Sequence, residues 1–326
     1  MRALVTGGAG FIGSAVVERL IADGHDVIVL DNFSNGSREN LAAVAAHPRL
    51  LTVIEGDVAD AASVAAAWRL GVDVCFHLAA EGQVQRTLDD PNHAMRNNFV
   101  GTFVPLVEAR RHGTRFVFMS TCMVYGSAEA GVPLVETALP VPLSVYAATK
   151  LAGEHATLAF HRTYGLPVVV LRPFNTYGPR QKSSQEGGVV AIFLQNSLGG
   201  RPHRVFGDGT QTRDLLFVDD CAEFVVRAGL SDATVGQVIN GGTGRETSVL
   251  ELARLVDGPA ARVEHVPHIH PQCEIQRLVC DASFARRVLG WAPRVPLEQG
   301  LAATRAWLAA PSLVAGRDGG EERPRS

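Results

Sequence analysis

Tyr146-Ala147-Ala148-Thr149-Lys150 places a phenol and an ammonium four residues apart, on one face of any helix that carries them. A lysine in that position favours the phenolate, so the spacing predicts a tyrosine pKa below its ordinary value of about 10. Such a tyrosine is a base for a hydroxyl proton. The same spacing is common on solvated helix faces, and its meaning here comes from a second motif near the N-terminus.

That motif is Gly7-Gly8-Ala9-Gly10-Phe11-Ile12-Gly13. It follows a short apolar run and opens a helical pattern, the context of a dinucleotide loop. Gly7 permits a tight turn, Gly10 lets the backbone approach a pyrophosphate, and Gly13 lets helix and sheet pack closely. Phe11 and Ile12 then sit in a first turn whose unpaired N–H groups and dipole favour an anion. Asp31 lies 18 residues beyond Gly13, near the spacing of a ribose-binding carboxylate. An acid there accepts from a 2′-hydroxyl and repels a 2′-phosphate, which predicts NAD rather than NADP. The bland alternative is that Asp31 caps the next turn. Arg38 lies too far past the strand to argue for a 2′-phosphate. Asp57-Val58 ends a third strand, where an aspartate can accept from an adenine amino group. Leu78-Ala79-Ala80 ends a fourth and is small enough for close approach by a cofactor. His77 reads as a packed strand residue rather than a catalyst. With a nicotinamide in place, Tyr146 would take a hydroxyl proton while the ring takes the hydride.

The elements that must position these groups are legible in the pattern. Apolar runs at Ala3–Thr6, Val27–Asp31, Leu51–Glu55, Val74–Leu78, Arg115–Ser120 and Val168–Pro173 alternate with helical stretches. That alternation predicts an α/β fold of Rossmann type, a doubly wound parallel sheet covered on both faces. Helices are expected over 147–164 and Asp219–Leu230, with a last strand at Gln237–Asn240. Residues 1–173 plus 214–242 form the expected NAD-binding domain. Residues 174–213 plus 243–310 form a smaller mixed α/β substrate domain, and 316–326 an unstructured tail.

Composition narrows the function classes. The 326 residues are 46% hydrophobic and 19% charged, with net charge −3. Nothing in that balance suggests a nucleic-acid partner, and no apolar run is long enough for a membrane span. A strand starting at Arg2 leaves no room for a signal peptide. Cys75, Cys122, Cys221, Cys273 and Cys280 have no zinc-type spacing, so no metal and a reducing, cytoplasmic setting are expected.

These motifs together resemble the extended short-chain dehydrogenase/reductases that act on nucleotide sugars, a group of epimerases, dehydratases and decarboxylases. The resemblance runs from Met1 to about Trp307. It includes Asp31-Asn32-Phe33-Ser34-Asn35-Gly36, Asn98-Phe99-Val100-Gly101-Thr102, Arg172-Pro173-Phe174-Asn175-Thr176-Tyr177-Gly178-Pro179-Arg180, Arg213-Asp214 and Leu289-Gly290-Trp291. By position it implies further cofactor contacts at Asn32, Gly36, Asn98 and Pro173. It implies that Thr121 bonds the reacting sugar hydroxyl beside Tyr146. Asn175 takes the place of a diphosphate-contacting asparagine. Arg213 and Arg277 take the places of two arginines that clamp the diphosphate and nucleoside, a job suited to a bidentate guanidinium. A nucleoside-diphosphate sugar is the implied partner, and a homodimer through helices near 93–112 and 147–164 the implied assembly.

One departure bears on the reaction. The 4,6-dehydratases of this group carry Asp-Glu after the threonine, an acid and a base for elimination. This chain reads Thr121-Cys122-Met123. Methionine transfers no proton. Cys122 is either a proton donor or a small side chain shaping the sugar pocket, and Glu81 is a candidate substitute base. The least demanding remaining chemistry is 4-epimerisation by transient oxidation, rotation of the 4-keto sugar and re-reduction. Its alternatives are a dehydratase or decarboxylase using Cys122 or Glu81, or a non-catalytic NAD or nucleotide-sugar-binding protein.

Overall fold

Seven apolar segments pair into one sheet in the computed structural model, which describes residues 1–183 and 187–310. β1 (Arg2–Thr6), β2 (Asp26–Asp31), β3 (Leu50–Glu55), β4 (Val74–His77), β5 (Arg115–Met119) and β6 (Val168–Pro173) are joined by a late strand, Val238–Gly241. The order across the sheet is Val238–Gly241, β6, β5, β4, β1, β2, β3, and neighbouring strands are parallel throughout. This is the Rossmann-type α/β fold expected from the alternating pattern, with strand ends displaced by a residue or so. The expected tail at 316–326 lies outside the described residues.

Side chains alternate between two apolar cores, as a period of two requires. Ala3, Val5, Val27, Val29, Val169 and Leu171 point into one, with Val16 and Leu20 of helix α1 (Phe11–Ala22) and Phe224 of the helix Val218–Leu230. Leu4, Ile28, Leu30, Val168 and Val170 point into the other, with Trp68, Leu106 and Phe160 from the helices Ala61–Trp68, Gly101–His112 and Val145–Tyr164. Burial on both faces explains the continuously apolar strands.

Apart from Val238–Gly241, the described residues beyond β6 make short pairs: Asn175–Tyr177 with Leu215–Phe217, Thr212–Arg213 with Thr247–Ser248, and His203–Phe206 with Val263–Val266. A third apolar cluster of Cys122, Val124, Tyr125, Phe174, Ile275 and Leu278 joins this part to the loop after β5. Asp214 ties it further, accepting from the backbone N–H groups of Thr243, Gly244 and Cys280 at 2.8–3.0 Å.

Candidate active site

Strand order reverses at β1, whose neighbours are β2 on one side and β4 on the other. Ligands of open α/β sheets bind at such a switch point, beyond the carboxyl ends of the strands. A cleft lies there, walled by Gly7, Gly10, Asp31, Asn32, Gly36 and Ala79, among others. Gly7 is left-handed at φ +69°, and a Cβ on it would stand 2.8 Å from the Ala79 backbone. A Cβ on Gly13 would stand 2.0 Å from the Gly7 carbonyl, so α1 reaches this close to β1 only with glycine there. Helix α1 opens on Gly10 with no side-chain cap, leaving its first N–H groups available to a ligand. Gln83 and Gln181, also on the cleft wall, each bury a carbonyl oxygen that has no partner. An uncapped helix end, a close-fitting glycine wall and orphaned amide oxygens suit a dinucleotide.

Asp31 does more than the sequence implies. Its carboxylate accepts from Ala9 N–H at 2.9 Å and Phe33 N–H at 2.8 Å, tying the glycine loop to the turn after β2. Burial pushes this carboxyl above the usual range, and those two bonds pull against the shift. Lone pairs remain for a ribose hydroxyl. Arg38 is taken up by Glu55 at 2.8 Å and by the face of Phe33.

Asn32, Gly36, Val58, Leu78 and Ala80 line the cleft with the glycine loop's Phe11 and Ile12. Two expected cofactor contacts are otherwise committed. Asp57 pairs with Arg96 at 2.7 Å and accepts from Ala59 N–H at 2.8 Å. Asn98 is fully buried: it accepts from Glu81 N–H at 2.7 Å and donates to the Glu81 carbonyl and to Thr149. It brackets the loop after β4 to the helix carrying Tyr146, while its neighbour Asn97 faces the cleft. Asn98 lies in a widened turn, Met95–Val100, of a kind frequent at functional sites. Pro173 ends β6 against Gly241. His77 is packed, as expected, between Thr6 and Thr102 and against Phe116 and Phe118.

Thr121 follows β5 and caps the turn Cys122–Val124, accepting from Met123 N–H at 3.1 Å. Tyr146 stands in the first turn of Val145–Tyr164, behind the cap Ser144, with Lys150 one turn later. The Tyr146 phenol and the Thr121 hydroxyl face each other closely enough for Thr121 to pull the phenol's pKa down. Burial holds the phenol up at about 12, against that pull from Thr121. Burial thus raises the phenol where the spacing predicts a depressed one. Desolvation dominates here, and Lys150 is itself pushed down to about 7 by burial. Lys150 lies over the Phe118 ring at 4.5 Å.

Sequence reasoning missed what supports this helix from below. Glu154, one turn past Lys150, takes Arg172 in two hydrogen bonds, at 2.8 and 2.5 Å, and accepts from Ser120. Arg172 also donates to Tyr125 at 2.7 Å. The four-residue step from Lys150 to Glu154 was the available signal.

Cys122 is buried in the third apolar cluster, and burial pushes its thiol up to about 12. Met123 beside it is half-buried. Glu81 is 3% exposed and well engaged: one oxygen accepts from the Asn35 amide and Gln83 N–H, the other from Arg86 at 3.1 Å, with His93 Nε2 3.3 Å away. Asn175 buries a side-chain oxygen without a partner. Arg213 pairs with Glu274 and donates to two backbone carbonyls at 2.8 Å. Arg277, across from Thr212, grips both oxygens of Glu246. The fold thus brings both arginines to adjoining strands, each with a carboxylate partner.

Comparison with known proteins agrees with this geometry. The model of the NAD dependent epimerase/dehydratase family matches residues 3–242. A UDP-glucose 4-epimerase of Mycolicibacterium smegmatis is 42% identical over 93% of this chain and 97% of its own length. The X-ray structure of Pal from Bacillus thuringiensis is 47% identical, with TM-score 0.93 over 94% of this chain and 99% of that one. DesIV, a dTDP-glucose 4,6-dehydratase from Streptomyces venezuelae crystallised with NAD, is 35% identical, with TM-score 0.86 over 94% and 96%.

Proposed function

The chain belongs to the NAD-dependent epimerase/dehydratase family, and from that premise we propose that it is a nucleotide-sugar 4-epimerase. The observation that carries this reading is where the proton-transfer groups stop. Thr121 and Lys150 are buried beside a half-buried Tyr146, Thr121 in the loop after β5 and Lys150 one helical turn on. Next to them, the thiol of Cys122 is held protonated, Met123 has no proton to give, and Glu81 is already engaged by Asn35, Gln83 and Arg86.

Bound NAD would supply the acceptor that takes the C4 hydride and later returns it. Tyr146 receives the C4 hydroxyl proton, with Thr121 orienting that hydroxyl and Lys150 favouring the phenolate. The keto sugar turns over, and Tyr146 returns the proton to the C4 oxygen as the hydride arrives on the other face. No group beyond these three is asked to move a proton. Asn175, Arg213 and Arg277 would hold the diphosphate and nucleoside, the phosphates competing with Glu274 and Glu246 for the two guanidinium groups. Residues 174–213 and 243–310 form the substrate-binding part in this reading.

Turnover of a panel of nucleotide sugars in D₂O, followed by NMR, tests it. An epimer is expected with no loss of water or carbon dioxide and no solvent deuterium at C4 or C5. Deuterium at C5 would overturn the reading and favour an elimination in which the protonated Cys122 thiol serves as acid.

The helices beside the catalytic one carry exposed apolar side chains, Met95 at 49% and Phe103 at 43%, and Phe103 packs edge-on to Phe160. That face suits pairing of two copies, checked by light scattering at twice the chain mass. The five cysteines are free thiols, which fits a cytoplasmic setting.

A further inference from the structure

Gly178-Pro179-Arg180 and the two residues after it have no part in the chemistry above, yet they are built with care. Arg180 is left-handed at φ +71°, a conformation that strains a non-glycine residue and persists only where the surroundings impose it. Its guanidinium donates to Ser14 Oγ at 3.1 Å and to Glu18 Oε1, both on α1, the helix that opens the glycine loop. Gln181 donates to the Thr176 carbonyl at 3.0 Å and buries its own oxygen without a partner. Lys182 crosses to the other wall, donating to Asn35 Oδ1 at 3.0 Å in the loop after β2. Three consecutive residues from beyond β6 thus fasten to α1, to the strand Asn175–Tyr177 and to the β2 loop, and all three line the cleft.

We propose that Arg180 and Lys182 form a retaining strap across the dinucleotide cleft, binding residues that keep NAD in place through complete catalytic cycles. The strap sets the Lys182 ammonium, bound to a neutral amide, and the Glu18-paired Arg180 guanidinium on the wall of an uncapped helix end. An anion is already favoured there. Among the acids near that wall, Glu81 is engaged by Asn35, Gln83 and Arg86 and Glu18 by Arg180, while Asp31 keeps lone pairs for the ribose. Retention has a chemical purpose under the epimerase reading, on which this purpose rests. The hydride taken from C4 must come back to the same sugar, and a cofactor that left midway would strand the ketone.

The test loads the protein with NAD tritiated in the adenine ring and chases with unlabelled NAD, without sugar. Arg180→Ala should speed release roughly 10- to 100-fold, as expected on losing hydrogen bonds to a charged group. Lys182→Ala should speed it roughly two- to fivefold, the usual worth of an exposed charge. Added salt should accelerate release from the unmodified protein more than from Lys182→Ala. Arg180→Lys and urea midpoints guard against simple loss of folding. Release from both Arg180→Ala and Lys182→Ala at the rate of the unmodified protein overturns the strap, given charges worth this much. So does faster release confined to variants whose urea midpoint has fallen. Because no sugar is present, the strap can hold while the epimerase reading fails, and the two failures are read separately.

Discussion

The cofactor cleft and the sugar side are built from different materials. Around the cleft, recognition is written in the backbone: a glycine that must be left-handed, another that no Cβ permits, an uncapped helix end, and Asp31 bound to two N–H groups. On the proposed sugar side stand side-chain pairs between segments far apart in the chain, Arg213 with Glu274 and Arg277 with Glu246. A backbone site is rigid and accepts one ligand shape. A site of ion pairs can exchange its internal carboxylates for phosphates and be retuned by single substitutions. One cofactor serving several reactions across the family fits that division.

The largest expected effect lies where the two halves meet. Tyr146→Phe should lower turnover by about 10²–10⁴ with NAD and sugar binding nearly kept, the usual worth of a positioned acid/base. Steady-state and binding measurements on the same variant check it, and more than a tenth of the activity remaining would remove Tyr146 from the chemistry. Next comes the backbone-built half. Asp31→Ala should weaken NAD binding by about 1.5–3 kcal/mol, measured by calorimetry, because it loses a ribose acceptor and frees the N–H groups of Ala9 and Phe33. Tighter binding of NADP than NAD by the unmodified protein would contradict this role. The smallest effect belongs to the sugar side. Cys122→Ala should cost less than about tenfold in kcat, below the usual worth of an acid/base group, since a thiol held up at about 12 shapes the pocket. Collapse of activity in that variant would make the sugar side chemical rather than steric.

Much of the fold could be read from residue order. Apolar runs of four to six residues, spaced by helical periods, locate the sheet, because strands buried on both faces have no polar side to show. Gly7, Gly13 and Asp31 were equally legible, since each answers a local demand of one turn or one strand end. Asn98 was not: its amide bridges Glu81 and Thr149, residues 17 before it and 51 after it. Nor was the commitment of Asp57 to Arg96, nor the strap from Arg180 to Ser14, which spans 166 residues.

The Tyr146–Lys150 spacing alone determined which groups share a helix face, because four residues make about one helical turn. Which way their proton equilibria move was decided by the tertiary structure. Spacing predicts a phenol lowered by its lysine. The packed site instead raises Tyr146 to about 12 and lowers Lys150 to about 7. The reason is that a charge's cost depends on the solvent it loses, and that loss is fixed by every segment packed around it. The sequence set the pattern of strands, glycines and the proton-transfer pair; the fold alone set burial, and with it which groups are charged, paired or free to react.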